Sequence, residues 1–288
     1  MLEQEAPAQC AADGELPADW PSSGELKVDG LVAGYTADAP VLRGLTFSVK
    51  HGEKIGVVGR TGAGKSTLSL ALLRLIEATS GQVVLDGVDI AQIGLNRLRQ
   101  SIATIAQDPV LFNGTVRFNL DPFNDYPDEL LTDALRRTML LKTAESDTNS
   151  AAAFSSLDDA IMSNGQNLSL GQRQLVALAR ALVRRSRLVI LDEATAAVDF
   201  ENDSRIQQAI RGPEFKDSTL FCIAHRLRTI IDYDRILVLS DGNIVEFDTP
   251  ANLIQREGGH FRQLCENSNE FELLQSQAKC GKVPFISS

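Results

Sequence analysis

One stretch of the sequence has the residue types and spacing of a phosphate-binding loop. Residues 59–67 are Gly-Arg-Thr-Gly-Ala-Gly-Lys-Ser-Thr and fit the pattern G-x-x-x-x-G-K-[ST]. Glycines let backbone N–H groups converge on an anion, and the N-terminus of a following helix adds partial positive charge. We expect Lys65 to reach the β- and γ-phosphates of a nucleotide and the Ser66 hydroxyl to bind Mg²⁺. The predicted nucleotide contacts in this loop are Gly59, Thr61, Gly62, Ala63, Gly64, Lys65, Ser66 and Thr67.

Two adjacent acidic residues end a second apolar run. Residues 188–191 are Leu-Val-Ile-Leu, typical of a strand buried on both faces, and Asp192 and Glu193 follow them. Successive side chains of a strand point in opposite directions, so the two carboxylates cannot share one role. We expect Asp192 to bind Mg²⁺ and Glu193 to act as the general base or as a carboxylate that positions the attacking water. The alternatives are an acidic turn after a core strand and, for the loop, a chance match in a glycine-rich turn.

The apolar pattern around these residues predicts an α/β fold with a largely parallel sheet. Strands are predicted at 25–32, 45–49, 54–59, 82–85, 102–106, 188–191, 219–224 and 236–239. Helices are predicted from Lys65 and at 127–137, 170–185 and 261–277, and the apolar face of the first comprises Leu68, Ala71, Leu72 and Leu75. The composition of residues 1–24 predicts a flexible leader with Trp20-Pro21 as a docking point at its end, and residues 142–156 a mobile surface loop.

Composition and charge exclude several other classes of protein. The 288 residues carry a formal net charge of -10, which argues against a protein that coats DNA or RNA. No run of 18 or more apolar residues occurs, and the acidic N-terminus lacks the basic start of a secretory signal, so we expect a soluble, cytosolic chain. The four cysteines, at positions 10, 222, 265 and 280, show no zinc-binding spacing, and the apolar run around Cys222 predicts a buried thiol.

Further segments resemble, in order, the motifs of ATP-binding cassette (ABC) ATPases. Residues 168–174, Leu-Ser-Leu-Gly-Gln-Arg-Gln, resemble the signature motif, usually written LSGGQ, and precede the acidic pair by about 20 residues. Tyr35 resembles the aromatic residue that stacks on adenine, and Gln107 resembles the Q-loop glutamine. Residues 196–199 resemble the D-loop, and His225 resembles the switch histidine. The resemblance covers about Gly24 to Cys265.

The resemblance implies a role for each of these residues. Ser169, Gly171 and Gln172 would contact the γ-phosphate of ATP bound by another cassette, so that two cassettes enclose two nucleotides, and Asp199 would lie at the same nucleotide interface. The departure from the usual motif, a leucine at position 170, leaves that serine and the second glycine intact.

The catalytic set implied by the resemblance combines three residues from separate parts of the chain. Gln107 would contact both Mg²⁺ and the attacking water. His225 would contact the γ-phosphate and sense its loss, and Glu193 would act as the base.

The resemblance also implies an architecture. The expected fold is α/β, a P-loop NTPase of the ABC-ATPase type with a RecA-like core, an antiparallel β-subdomain and a helical signature subdomain. The expected domains are a leader or linker at 1–24, the ABC ATPase domain at 25–265 with its helical subdomain at about 108–185, and a tail at 266–288. A narrower resemblance, to the second, C-terminal cassette of subfamily C exporters, rests on residues 20–21, 59–67, 117–123, 193–199 and 246–250.

The activity implied is ATP hydrolysis that powers export of organic anions or conjugates. ATP and Mg²⁺ are the expected cofactors. The expected partners are a second cassette, paired head to tail, and the membrane domains of an exporter, which would place the chain at the cytosolic side of a membrane, with no nucleic acid bound. The alternative is a soluble ABC-type ATPase without transport, or a nucleotide-dependent regulatory switch.

Overall fold

The computed structural model describes residues 10–14, 16–17, 19–36, 38–142, 153–192, 200–224 and 226–280. Its strands are β1 (Leu26–Ala33), β2 (Leu42–Val49), β3 (Lys54–Gly59), β4 (Ala78–Leu85), β5 (Val88–Asp89), β6 (Ile102–Ile105), β7 (Gly114–Thr115), β8 (Ala160–Ile161), β9 (Leu188–Asp192), β10 (Thr219–Ile223), β11 (Arg235–Ser240) and β12 (Asn243–Asp248). Its helices are α1 (Lys65–Leu72), α2 (Leu95–Ser101), α3 (Val116–Leu120), α4 (Asp128–Arg137), α5 (Leu170–Arg184), α6 (Phe200–Ile210), α7 (Pro250–Gln255), α8 (His260–Glu266) and α9 (Phe271–Cys280).

The larger sheet has the strand order β12-β11-β3-β10-β9-β6, and all its strands are parallel except the edge strand β12. Every residue of β10 is buried, as expected for a strand covered on both faces. Ile223 of β10 lies level with Val57 of β3 and with Asp192 of β9. The parallel strands therefore end at one edge of the sheet, and the loops that follow β3, β10, β9 and β6 leave from that edge.

A second, antiparallel sheet has the order β2-β1-β4-β5. Its buried side chains, among them Phe47 and Leu85, share one hydrophobic cluster with Leu68 and Leu72 of α1. This packing fixes the start of α1 between the two sheets. The α/β class and the antiparallel β-subdomain are both confirmed.

The helices that follow β6 pack around α5. Leu131 and Leu135 of α4 share a second hydrophobic cluster with Leu175 and Leu178 of α5, and all four are fully buried. Because the same cluster includes residues of β6 and β9, α5 packs against these two strands of the larger sheet through apolar contacts.

The prediction of a flexible leader through residue 24 is wrong for its last residues. Trp20 is only 6% exposed, and its Nε1 donates to the main-chain oxygen of Leu85 at 3.3 Å. Asp86 accepts hydrogen bonds from the main-chain N–H groups of Ser23 and Glu25 at 2.7 and 2.8 Å. Burial opposes ionisation of Asp86, but its hydrogen bonds outweigh this and hold its pKa below the usual range. The predicted docking point at Trp20 thus lies on the antiparallel sheet.

Two further predictions also need correction. α1 ends at Leu72, so Leu75 does not continue its apolar face and is 52% exposed. Phe154, predicted to lie in a mobile surface loop, is 1% exposed and belongs to the core around α5. Residues 143–152 of that predicted loop lie outside the described residues.

The single predicted C-terminal helix is two helices, α8 and α9, separated at residues 267–270. Leu274 of α9 is fully buried, and Ala278 is 6% exposed, within the same cluster as α5. α9, which lies within the predicted tail at 266–288, thus packs onto the same core as α5, and the domain bounds stay a prediction.

No helix of the described residues is long and apolar enough to cross a bilayer. Cys222 is buried as predicted, and burial raises the pKa of its thiol to about 12. Burial likewise raises the pKa of Cys265 to about 12. Both thiols are therefore protonated at neutral pH and are poor nucleophiles.

Candidate nucleotide-binding site

The segment between β3 and α1 is a tight loop shaped by its glycines. Gly62 has φ +82° and Gly64 has φ +103°, in the left-handed region that side-chain-bearing residues rarely adopt. A Cβ on Gly64 would lie 2.9 Å from Leu42 Cδ2. α1 starts at the next residue, Lys65, and no described side chain caps it. The loop therefore has the form of an anion-binding nest at a helix N-terminus.

Lys65 supplies the positive charge of this loop. Its side chain is 5% exposed, and its Nζ donates to the main-chain oxygens of Gly59 at 2.9 Å and Arg60 at 3.2 Å. The ammonium is thus held beside the N-terminus of α1. Both positive charges can act there on one bound anion.

The turn between β11 and β12 is hydrogen-bonded to the loop. Gly242 donates its N–H to the oxygen of Ala63 at 3.1 Å, and its own oxygen accepts from the Arg43 N–H at 2.9 Å. A Cβ at Gly242 would lie 1.9 Å from the oxygen of Val41, so only glycine allows this approach.

Exposure separates the predicted contacts of the loop into two groups. Thr61, Gly62 and Ser66 are exposed, so the Ser66 hydroxyl is accessible for a metal ligand role. Ala63 and Thr67 are 4% exposed, and their side chains belong to the interior. These two residues can contribute to a nucleotide site through the main chain only.

The other predicted site residues follow strands that end at the same edge of the larger sheet. Asp192 is the last residue of β9 and is half-buried. Gln107 follows β6 by two residues and is exposed. His225 follows β10 by two residues but lies outside the described residues, as do Glu193 and residues 194–199, which include Asp199. The roles of these three stay predictions.

Ser66, Gln107 and Asp192 offer a hydroxyl, an amide and a carboxylate oxygen. Mg²⁺ prefers such ligands and usually keeps waters or phosphate oxygens in its remaining positions. In the part of the chain that the structure describes, no group of three or more His, Cys, Asp or Glu residues could hold a metal ion. The hydroxyl, amide and carboxylate oxygens of these three residues fit Mg²⁺ that arrives with a nucleotide.

The predicted signature residues form the N-terminus of α5. Ser169 Oγ accepts from the N–H of Gln172 at 3.2 Å, and Gln172 Oε1 accepts from the N–H of Ser169 at 2.9 Å. This reciprocal pair is a capping box. Ser169 is exposed, Gln172 is half-buried and Gly171, in the first turn, is buried. The helix therefore presents its positive end at the surface.

Two further surface features concern the predicted nucleotide site. Tyr35 follows β1 and is 67% exposed, so its ring is accessible for stacking on a base. A cleft of about 810 Å³ lies beside the loop and is lined mainly by polar residues, among them Arg60, Thr61, Asp203, Arg226, Arg228 and Glu270.

Two α5 side chains with no role predicted from the sequence hold the segment after β6. Arg173 Nη1 donates to Asp108 Oδ1 at 2.7 Å, and Gln174 Nε2 donates to the main-chain oxygen of Gln107 at 3.0 Å. Both residues lie within the segment 168–174 that resembles the signature motif, and this is the signal in the sequence that points to them.

An exposed apolar surface, which we call the aromatic surface, lies next to this segment. It comprises Val110, Phe112, Phe118 and Phe123, which are 43–74% exposed. The rings of Phe112 and Phe118 meet edge to face at 6.2 Å. A groove of about 390 Å³ adjoins it and is lined in part by Arg180, whose pKa is lowered to about 10 by burial and by Arg184. Exposed apolar patches of this kind mark protein contact sites.

Comparisons with known proteins agree with this geometry. A family model described as ABC transporter matches residues 42–196. The ABC-type transporter cicA of Emericella nidulans is 49% identical over 278 residues, which cover 93% of this chain and 20% of that protein. ATP-binding cassette sub-family C member 2 of Rattus norvegicus is 46% identical over 277 residues, 94% of this chain and 17% of that protein.

A solved structure is also similar over most of the chain. A bacterial Atm1-family ABC exporter with ATP bound matches with a TM-score of 0.77 and 30% identity, over 92% of this chain and 44% of that one. The chain spans about a fifth of the length of the curated relatives named above.

Proposed function

Because the chain belongs to the ABC transporter family, we propose that it is the ATP-hydrolysing cassette of a subfamily C exporter, corresponding to the second cassette. The observation that carries this proposal is the glycine loop before α1, whose Gly59 oxygen accepts a hydrogen bond from the Lys65 ammonium. This loop leaves the larger sheet at the edge where Asp192 also lies. The names of the relatives support it, since they are ABC transporters, one of them of subfamily C.

In this proposal the loop binds the nucleotide. Lys65 and the first N–H groups of α1 hold the β- and γ-phosphates, and Tyr35 stacks on the adenine. Ser66, Asp192 and Gln107 hold Mg²⁺. When bound, Mg²⁺ neutralises charge on the phosphates and so favours attack at the γ-phosphorus.

Hydrolysis would use residues at the same edge of the sheet. Glu193 accepts a proton from water as the water oxygen bonds to the γ-phosphorus and the bond to the ADP oxygen breaks. Gln107 orients that water, and His225 donates a hydrogen bond to the γ-phosphate. The order of strands supports these roles, because β10 lies between β3 and β9 and its last residue, Ile223, pairs with both Val57 and Asp192.

A second cassette would complete the site. Ser169, Gly171 and Gln172 begin α5, whose capping residue Ser169 is exposed, and they would contact the γ-phosphate bound by the other cassette, with Asp199 at the same interface. Two cassettes paired head to tail would thus enclose two ATP molecules.

Membrane domains are the other proposed partners. The aromatic surface leaves four large apolar side chains in water, next to the segment that contains Gln107. A contact there would join the nucleotide state to the transport pathway for organic anions or conjugates. The chain would then act at the cytosolic side of a membrane. We favour this over a soluble ATPase or regulatory switch because the relatives are transporters.

Nucleotide-dependent pairing tests the proposal. We expect the wild-type chain to bind and hydrolyse Mg-ATP, and Glu193→Gln to bind ATP, hydrolyse it at least about 100-fold more slowly and accumulate as a dimer in size-exclusion chromatography. Ala substitution of Glu129, an exposed carboxylate of α4, is the control and should behave as wild type. A wild-type chain that shows no ATP binding in a filter assay would refute the proposal.

A further inference from the structure

The start of α5 is tied directly to the segment that follows β6. Gln174, in the second turn of α5, is 1% exposed and donates from Nε2 to the main-chain oxygen of Gln107 at 3.0 Å. The preceding residue, Arg173, donates to Asp108 Oδ1 at 2.7 Å. Two consecutive residues of the helix therefore hold two consecutive residues of the loop.

The same helix holds this segment again further along. Arg180 donates from Nη1 to the main-chain oxygen of Val110 at 3.0 Å and from Nε to that of Asn119 at 2.6 Å. Residues 107–110 are thus fixed to α5 at several points. Any displacement of α5 would carry this segment with it.

The buried amide of Gln174 is not accounted for by stability. Its Oε1 is buried and receives no hydrogen bond from the residues that the structure describes. Rotating the amide by 180° would bring that oxygen against the oxygen of Gln107, so the contact fixes the orientation of the group. A buried acceptor without a donor costs stability, and an apolar side chain of equal size would fill the space without that cost.

We propose that Gln174 is a positioning residue for ATP hydrolysis, which holds the Gln107 main chain so that the Gln107 side chain reaches Mg²⁺ and the attacking water. This inference rests on the proposed function. Ser169 and Gly171 begin the same helix and would contact the nucleotide bound by the other cassette. The hydrogen bond from Gln174 therefore also connects that end of α5 to Gln107, on the Mg²⁺ side of the chain's own site. Binding at one nucleotide would thereby adjust hydrolysis at the other.

The first test replaces Gln174 by Met, which keeps length and volume but has no N–H. In the full 288-residue chain with saturating Mg-ATP, we expect kcat to fall about 10-fold and KM for ATP to stay within about twofold. The Tm should stay close to that of the wild type, because the substitution removes both the Nε2 donor to Gln107 and an amide oxygen that receives no hydrogen bond from the described residues. Gln100→Met, at an exposed position of α2, is the matched control and should change neither value.

The second test is a double-mutant cycle with Gln107→Ala. If Gln174 acts through Gln107, adding Gln174→Met to Gln107→Ala should lower kcat by less than about twofold further. A full 10-fold further loss, or a fall in Tm that parallels the fall in kcat, would overturn the inference. An unchanged kcat in Gln174→Met, measured beside an active wild type, would also overturn the inference but would leave the proposed function intact. A wild-type chain that does not hydrolyse ATP would refute both.

Discussion

The two helix N-termini assigned to phosphate binding are built differently. α1 starts after Gly64, a glycine in the left-handed region, and no described side chain caps its first N–H groups. α5 starts after Ser169, and the side chains of Ser169 and Gln172 already satisfy two N–H groups of its N-terminus. The first end is left open for an external anion. The second is closed by its own residues.

This contrast indicates which of the two helix N-termini can bind a nucleotide in a single cassette. At α1 the open N–H groups, the Lys65 ammonium and the support from Gly242 act together before any ligand arrives. At α5 an anion must compete with the capping box or use the remaining N–H groups. We therefore expect the α1 end to bind ATP in a single cassette and the α5 end to contribute only after two cassettes meet.

The largest expected effect is that of removing the cation at α1. Lys65→Ala should weaken ATP binding at least about 100-fold and abolish hydrolysis, because it removes the buried ammonium that is held beside the N-terminus of α1. Equilibrium binding of a fluorescent ATP analogue measures this. Lys27→Ala, on an exposed part of β1, is the control. Hydrolysis by Lys65→Ala at the wild-type rate would show that the ammonium at the N-terminus of α1 is not needed for nucleotide binding.

A smaller but still large effect is expected from Gly64→Ala. The new Cβ would meet Leu42, and alanine disfavours the left-handed conformation that this position requires. The loop must therefore shift, and ATP affinity should fall about 10-fold. Gly87→Ala provides a matched control, since Gly87 has φ +80° and open space around it, far along the chain from the loop. It should lower Tm through strain and leave ATP affinity unchanged. Equal ATP affinities in the two variants would show that loop geometry is unimportant.

The α5 end is tested by Ser169→Ala. Loss of the cap should cost about 1 kcal/mol of the free energy of unfolding, and ATP binding by the single chain should remain normal. ATP-dependent dimerisation, however, should weaken about 10-fold. Thr249→Ala removes a cap of the same kind from α7, where Thr249 accepts from the Asn252 N–H, and controls for stability alone. The comparison fails if Ser169→Ala impairs ATP binding before pairing.

Much of this comparison could be predicted from the sequence. The continuous apolar runs before Gly59 and Asp192 identified buried strands, and Lys65 was correctly predicted as the start of α1. The end of α1 was not, because apolar periodicity continues to Leu75. The helix stops where Arg74 takes φ +48° and donates to the main-chain oxygens of Ile90 and Ile93, contacts that no local pattern contains.

Long-range contacts explain the other failures. The hydrogen bond between Gln174 and Gln107 joins residues 67 positions apart, so no spacing rule reveals it. The composition of the leader predicted flexibility, yet Trp20 has a buried place on the antiparallel sheet because Leu85 offers a main-chain acceptor there. The residue types at the site were predictable, whereas the contacts that hold them depend on the assembled fold.

The smallest predicted effect concerns Glu53, at the end of β3 that is opposite to the phosphate-binding loop. Glu53 precedes β3 and accepts from the Lys50 N–H at 2.8 Å and from Arg235 Nη2 at 2.7 Å. Burial would raise the pKa of Glu53, but the hydrogen bonds from Arg235 and Lys50 outweigh burial and hold it below its usual value.

A folded pKa below the unfolded one means that Glu53 stabilises the fold above the unfolded pKa and loses this effect as pH falls through the folded pKa. Glu53→Gln should therefore lower Tm at pH 7, by about 2 °C for a pair near solvent, and the difference should shrink to nothing in acid. ATP affinity at pH 7 should not change, since the α1 end is organised by backbone geometry and Lys65. A Tm difference that is constant with pH would show that packing, not charge, holds this end of the strand, and a loss of ATP affinity would show that the two ends of β3 are not independent.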